Sequence, residues 1–134
     1  MSLQLSTTAR NARLDQIETT VGTGPLLRIY TGSAPANCAA SEGGTKLVEI
    51  TLPSDWMGNA ASGAKAKSGA WSDVGVAAGT AAHFRIYDSA GTTCHIQGTV
   101  TATGGGGDMT LDNTSIAVSQ AVTVNTFTLT DGNA

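Results

Sequence analysis

The chain has 134 residues, which is enough for one domain and too few for two ordinary ones. Charged residues make up 13% of it, against roughly a quarter in an average soluble protein, and the formal net charge is −3. This balance gives no reason to expect a nucleic-acid partner. The sequence has neither an apolar run of about 18 residues nor a charged segment leading into an apolar one, so we expect no membrane span and no secretory signal.

The low charge also bears on how the surface is used. The surface of a free monomer is usually about a quarter to a third charged, whereas surfaces buried in assemblies are depleted of charge at their centre. Glycine, alanine, serine and threonine together make up just over half of the chain. Two interpretations stay open: a β protein with a neutral polar surface, or a protein whose surface is covered in an assembly.

The first predicted element is a helix within residues 6–21. Hydroxyl residues at its start can cap the helix, and Pro25 cannot continue it. Leu14, Ile17 and Val21 follow each other at the spacing that places them on one face of a helix. The segment 1–24 is therefore predicted to be an N-terminal arm and helix.

This helix is marginal on its own, because a single narrow apolar stripe does not hold a short helix in water. Two further apolar residues precede it in the arm, where exposure would be a liability. We therefore predict a subunit interface formed by the arm and the helix stripe: Leu3, Leu5, Leu14, Ile17 and Val21. The alternative is that the helix caps an open end of its own β-domain.

After Pro25 the apolar period changes from 3.6 residues to 2, which predicts β-strands. About eight short strands at close spacing, separated by glycine-rich turns, are typical of a β-sandwich or jelly roll. We therefore predict a mainly β fold: an antiparallel, jelly-roll-like β-sandwich over residues 25–134 with one short N-terminal helix. In the last strand the apolar phase flips near residues 125–126, which indicates a β-bulge or bend.

The best-supported local structure is a hairpin of residues 82–87 and 93–100 around a turn at 88–91. Its alternation places four apolar side chains in the core: Phe84, Ile86, Ile96 and Val100. The same phase assigns Cys94 to the apolar face. The four glycines at 104–107 are predicted to be a flexible hairpin tip.

The cysteines and histidines do not form a clear site. Two cysteines are too few for a disulfide scaffold, and without an export signal we expect Cys38 and Cys94 to be free thiols, although a disulfide between them is an alternative. His83 and His95 could face each other across the hairpin and bind zinc together with a carboxylate. Both lie on predicted polar faces and no carboxylate has ligand spacing, so solvent-facing histidines are favoured.

The sequence contains no nucleophile pair, paired carboxylates or phosphate-binding loop, so we predict no catalytic residue, no metal, no cofactor and no enzyme activity. Lys65 and Lys67 lie on one strand face and are typical of a charged edge that resists unwanted pairing. Four aromatic residues, Trp56, Trp71, Tyr30 and Tyr87, could line a sugar-binding face. Core packing or interface anchoring is the favoured interpretation for them.

Three stretches of the sequence together resemble a family of small proteins encoded in the structural gene clusters of tailed phages and prophages. They are LQLSTTARNARLDQIETTVG, HFRIYDSAGTTCHIQGTVTATGGGGDMTLDNTSI and FTLTDGNA, and they cover nearly half of the chain. The middle stretch is the most specific. The size and β-rich character of the family are similar to those of head cement, or decoration, proteins.

The resemblance implies a non-enzymatic virion protein that is assembled in the bacterial host cytoplasm and braces the capsid. The expected partners are the major capsid protein and further copies of this chain, with no nucleic acid, membrane or small-molecule substrate. One alternative is a tail, collar or fibre-associated β-domain of the virion. An alternative from another class is a carbohydrate-binding module for the host surface. No catalytic residues come with the resemblance.

Overall fold

The computed structural model describes residues 3–131 and confirms a mainly β fold with one short N-terminal helix. The helix α1 spans Thr7–Val21. The strands are β1 (Leu26–Tyr30), β2 (Lys46–Thr51), β3 (Ala64–Ala66), β4 (Ser72–Val74), β5 (Gly79–Thr80), β6 (His83–Tyr87), β7 (Cys94–Ala102), β8 (Met109–Leu111), β9 (Ser115–Ile116) and β10 (Ala121–Thr130).

The helix has the bounds that the sequence predicts. The Ser6 side chain accepts a hydrogen bond from the Ala9 N–H, which caps the first turn. At the other end Gly22 has a φ of +92° and donates its N–H to the Glu18 carbonyl at 2.9 Å. Only glycine adopts such a backbone without strain, so the helix ends where the sequence indicates.

Eight strands form one curled sheet in the order β2-β1-β6-β7-β8-β10-β3, and β4 also pairs with β10. The chain just after β4 returns to the far edge, where the Val76 N–H donates to the Leu47 carbonyl of β2 at 2.7 Å. The two ends of the sheet therefore approach each other around the core. Strands β5 and β9 form a separate two-stranded ribbon.

The sheet is mixed, which corrects the prediction of a wholly antiparallel architecture. Strands β7 and β8 are parallel neighbours, joined only by residues 103–108, although parallel pairs ordinarily need a much longer crossover. Glycines make this short connection possible. A Cβ at Gly105 or Gly107 would lie 2.7 or 2.9 Å from Thr101, so the loop folds back directly over that residue. The glycines at 104–107 are therefore not a hairpin tip.

A methyl group at position 107 should disturb this connection. Gly107→Ala is expected to lower the free energy of unfolding by about 1–3 kcal/mol, because the new Cβ would meet the backbone nitrogen of Thr101. Gly43→Ala is the matched control, since a Cβ there meets nothing within 4 Å, and it should change stability by less than about 0.5 kcal/mol. Urea unfolding measures both, and equal effects would contradict the close approach.

The core lies inside the curled sheet. Trp71 is fully buried at its centre, with its ring centroid 6.1 Å from Trp56 and 5.7 Å from Phe127. Of the four predicted hairpin core residues, Phe84, Ile86 and Val100 are buried and Ile96 is partly buried against them. The predicted bulge in the last strand is also confirmed, because the register with β8 shifts between Val124 and Thr126.

Candidate functional site

The helix is fastened to the β-domain by a buried lysine. Lys65 of β3 is only 2% exposed, and its Nζ lies 2.7 Å from a carboxylate oxygen of Asp15 and 2.7 Å from one of Glu18. It also donates to the Gly58 carbonyl at 2.8 Å. The prediction that Lys65 is an exposed edge charge is therefore wrong, because helix α1 covers it and supplies two carboxylates.

The charges of this cluster stabilise each other. The hydrogen bond from Lys65, followed by one from the Ala60 N–H, lowers the pKa of Asp15. Burial alone would lower the pKa of Lys65, but its hydrogen bonds to Asp15 and Glu18 raise the pKa overall. The ammonium group thus stays charged beneath the helix.

Further polar contacts fasten the start of the helix. Arg10 donates to the Asp131 carbonyl at 3.0 Å, and the Arg13 Nε lies 3.2 Å from the Asp131 carboxylate. The Gly63 N–H donates to the Asn11 side chain at 2.9 Å. Helix docking in this chain therefore involves polar contacts as well as the apolar stripe.

The structure places the five predicted interface residues differently from one another. Leu14 and Val21 are buried against the chain's own β-domain, and Ile17 is partly buried there. Leu5 is half-buried, whereas Leu3 is 85% exposed. The helix stripe thus caps its own domain, and Leu3 is the member of the set that is fully available to a partner. A groove of about 400 Å³ runs beside Ile17, between α1 and the end of β10.

A second cluster lies on the opposite, polar face of strands β1 and β6. Residues 31–45 cross this face and are called the covering loop here. The loop is closed at its neck, where the Thr31 N–H donates to the Thr45 carbonyl and the Thr45 N–H to the Thr31 hydroxyl. Beneath the loop four polar or aromatic side chains are buried: Tyr30, His83, Arg85 and Tyr87.

Arg85 holds the covering loop from below. Its side chain is 1% exposed, and its Nη2 donates to the carbonyls of Cys38 at 2.7 Å and Ala40 at 2.9 Å. The guanidinium also lies 5.4 Å from the centre of the Tyr87 ring. A buried cation is stabilised by carbonyl dipoles and an aromatic face in place of a carboxylate.

A tyrosine and two carboxylates fasten the end of the covering loop. The Tyr30 hydroxyl donates to the Glu42 carboxylate, and burial together with this hydrogen bond raises the pKa of Tyr30. Arg28 donates to Glu49 at 2.6 Å, which lowers the pKa of that carboxyl, and lies 3.8 Å from Glu42. These groups fix one another and leave no free acid–base pair among them.

Both cysteines border the covering loop. A register shift between Ile86 and Tyr87 pairs Cys94 with Tyr87, so Cys94 faces the loop and not the core as its sequence phase predicts. Cys38 and Cys94 are free, as predicted, and partly buried. They line the same cavity of about 210 Å³ together with Arg85, and the neighbouring Cys38 adds to the burial that raises the pKa of the Cys94 thiol.

The histidines do not share a site. His83 lies beneath the covering loop, where its Nδ1 donates to the Gly32 carbonyl at 2.7 Å and its ring stacks on Tyr30. His95 lines a different cavity with Ile17 and Thr20 of α1. His83 is thus not solvent-facing, and no group of three or more metal-binding side chains occurs within residues 3–131.

The aromatic residues offer no exposed platform for a sugar ring. Trp56, Trp71, Tyr30 and Tyr87 are each less than 10% exposed, as are both phenylalanines. Core packing is confirmed for Trp56 and Trp71, whereas Tyr30 and Tyr87 are buried beneath the covering loop.

No protein-family model matches the chain, and neither a curated protein nor a solved structure matches it. Within the described part of the chain, no helix has the length and apolar character needed to cross a membrane.

Proposed function

We propose that this chain is a non-enzymatic phage virion protein, a cement or decoration protein that braces the head shell through contacts with the major capsid protein and with its own copies. The proposal rests on the sequence resemblance, the sparse charge and the distribution of exposed apolar side chains. The proposed location of the protein is the virion, which is assembled in the bacterial host cytoplasm. We also propose that the curled sheet is related to the antiparallel, jelly-roll-like β-sandwich that the sequence predicts.

An uncharged surface with exposed valines is the observation that carries the proposal. Val74, Val76 and Val118 are 47%, 57% and 62% exposed. They lie on segments 74–79 and 114–121, which contain no charged residue. These segments are held together by hydrogen bonds between Gly75 and both Gln120 and Ser119, each 2.8 Å long. We call the three valines the valine patch.

Such a surface suits protein contact. Exposed apolar groups on an uncharged background are typical of surfaces that are buried in assemblies. The patch stands on backbone that is hydrogen-bonded on both segments, so little order has to be gained on binding. Leu3 adds a second exposed apolar group on the arm, and both features fit a protein that works by contact.

The buried aromatic residues weigh against the carbohydrate-binding alternative, because sugar rings are commonly held on exposed aromatic faces. The buried polar groups beneath the covering loop bond to one another and to loop carbonyls, an arrangement that favours structure over catalysis. A position in the tail, collar or fibre would need the same kind of contact surface as a position on the head. Imaging of particles distinguishes the head position from these alternatives.

The test uses particles of the phage or prophage that encodes this chain. Cryo-electron microscopy of intact particles is expected to show this fold at regular positions on the head shell. Val118→Asp should reduce its occupancy there, because a charge would be buried without a partner. Leu3→Asp tests the arm in the same way. Ser89→Asp is the control, since it adds the same charge to an exposed turn outside the patch.

All three purified variants should keep the melting temperature of the wild type within a few degrees, because the substituted side chains are exposed. Loss of head density in the valine variant but not in Ser89→Asp supports the proposed contact. Density on the tail would replace the head assignment with the tail alternative. Absence of the chain from purified particles would refute a virion role altogether.

A further inference from the structure

We propose that Cys38 and Cys94 form an oxidation site, which a low-molecular-weight disulfide such as oxidised glutathione closes into an intramolecular disulfide. The bond would join the covering loop to the start of β7. This inference concerns the isolated chain and does not depend on a virion role.

The first argument is position. Cys38 lies in the covering loop and Cys94 is the first residue of β7, far apart in the chain but on the same cavity. The register shift between Ile86 and Tyr87 turns Cys94 away from the core and towards the covering loop. Arg85 holds the Cys38 carbonyl at 2.7 Å, which fixes the loop backbone next to Cys94. The two side chains are therefore already brought together before any bond forms.

The second argument is access. Both cysteines are partly exposed, and the cavity of about 210 Å³ that they line gives a small disulfide a route to them. The other lining residues are small or polar, among them Ala39, Ser41 and Thr92. Neither sulfur has to leave the core to react.

The chemistry is two successive thiol–disulfide exchanges. The Cys38 thiolate attacks one sulfur of oxidised glutathione, forms a mixed disulfide and releases one glutathione thiolate. The Cys94 thiolate then attacks the Cys38 sulfur and releases the second. The two protons lost by the cysteines are taken up by the two glutathione thiolates. The protein is oxidised by two electrons, and one molecule of oxidised glutathione is reduced to two of glutathione.

The order of attack follows from the surroundings of the two sulfurs. Burial raises the pKa of the Cys94 thiol to about 11, with the neighbouring Cys38 adding to the effect. Cys94 therefore carries little thiolate at neutral pH, and we assign the first attack to Cys38. Cys94 acts only in the second step, which is intramolecular and gains from the position of both cysteines on one cavity.

The bond would fasten the covering loop covalently. It closes a long stretch of chain between Cys38 and Cys94, and cross-links of that kind mainly restrict the unfolded state. The melting temperature of the oxidised protein is expected to be about 5–15 °C higher than that of the reduced protein. The fold itself should change little, because Arg85 already holds the loop in place.

The experiment oxidises the purified, reduced full-length chain with oxidised glutathione and then alkylates it under denaturing conditions. The expected wild-type product has lost two hydrogens in mass, has no alkylatable thiol and yields a peptide pair linked through Cys38 and Cys94. Cys38→Ser and Cys94→Ser are the controls. Each should form at most a mixed disulfide with glutathione, with no rise in melting temperature.

Each other outcome overturns the proposal. Two separately glutathionylated cysteines would show that the sulfurs do not meet. A disulfide-linked dimer would show that they meet only between chains. No reaction in the native protein, with ready oxidation after unfolding, would show that the cavity gives no access. A linked product with an unchanged melting temperature would refute the fastening of the loop.

Discussion

Truncating Phe84 to alanine is expected to lower the free energy of unfolding by about 3–5 kcal/mol, the range for a fully buried phenylalanine. Phe84 is 1% exposed and meets the Phe127 ring edge-on at 5.4 Å. It stands opposite Gly98 on β7, where a Cβ would come within 2.9 Å of its ring. Because Gly98 has no side chain, the Phe84 ring occupies the space beside it on β7. Truncation of Phe84 therefore leaves a cavity that the neighbouring residues cannot easily fill.

Chemical unfolding of Phe84→Ala and of the control Val118→Ala measures this effect. Val118 is 62% exposed, so its truncation should cost less than about 0.5 kcal/mol. A loss below about 1 kcal/mol for Phe84→Ala would mean that the ring is not packed as described. The two variants together separate core packing from the general effect of shortening a side chain.

The elements predicted correctly are those whose signals are local. A capping hydroxyl and a glycine at the right distance delimit α1, and the alternation of residues 82–87 predicts β6 and the face of it that enters the core. The alternation does not predict that the other face of β6 is buried too. The bulge in β10 is also local, because the apolar phase of the strand changes within the strand itself. Patterns of this kind need no knowledge of the neighbouring element.

The failures come from contacts between distant segments. Alternation alone places Cys94 in the core, but the register slips at the turn of the hairpin and reverses the face of this one residue. No local pattern within residues 31–45 predicts that they cover Arg85. The parallel pair of β7 and β8 depends on how Gly105 and Gly107 fold over Thr101, which the glycine run permits but does not specify.

Lys65 is the most instructive of these failures. On an isolated strand an alternating lysine indicates a solvated face. The carboxylates of a helix some 50 residues earlier, together with the Gly58 carbonyl, make its burial favourable. The apolar stripe of α1 alone suggests a helix without a docking site on its own domain. Asp15 and Glu18 resemble ordinary surface charges in the sequence, but their ion pairs with Lys65 dock the helix on β3.

Removing the charge of Lys65 should therefore loosen the helix. Lys65→Met keeps an unbranched apolar chain of similar length but removes the ammonium donor that Asp15, Glu18 and the Gly58 carbonyl share. The Asp15 carboxylate keeps only its hydrogen bond from the Ala60 N–H. We expect a loss of about 2 kcal/mol, below the ~3–5 kcal/mol of a fully buried pair, because the Asp15 side chain is 50% exposed and regains water. Hydrogen exchange of the helix amides should become faster.

Lys67→Met is the matched control, since Lys67 lies on the same segment but donates only to the nearby Gly69 carbonyl. This substitution should cost less than about 0.5 kcal/mol.

Unfolding in acid gives a second control. The pKa of Asp15 is lowered in the folded chain, so the stability from its pair with Lys65 is complete above the ordinary carboxyl value of 3.8 and is lost as the pH falls through the folded value. The difference between Lys65→Met and the wild type should therefore shrink as the pH falls below 3.8. If it stays constant into acid, or if both lysine variants lose the same stability, the carboxylates of α1 do not dock the helix through Lys65.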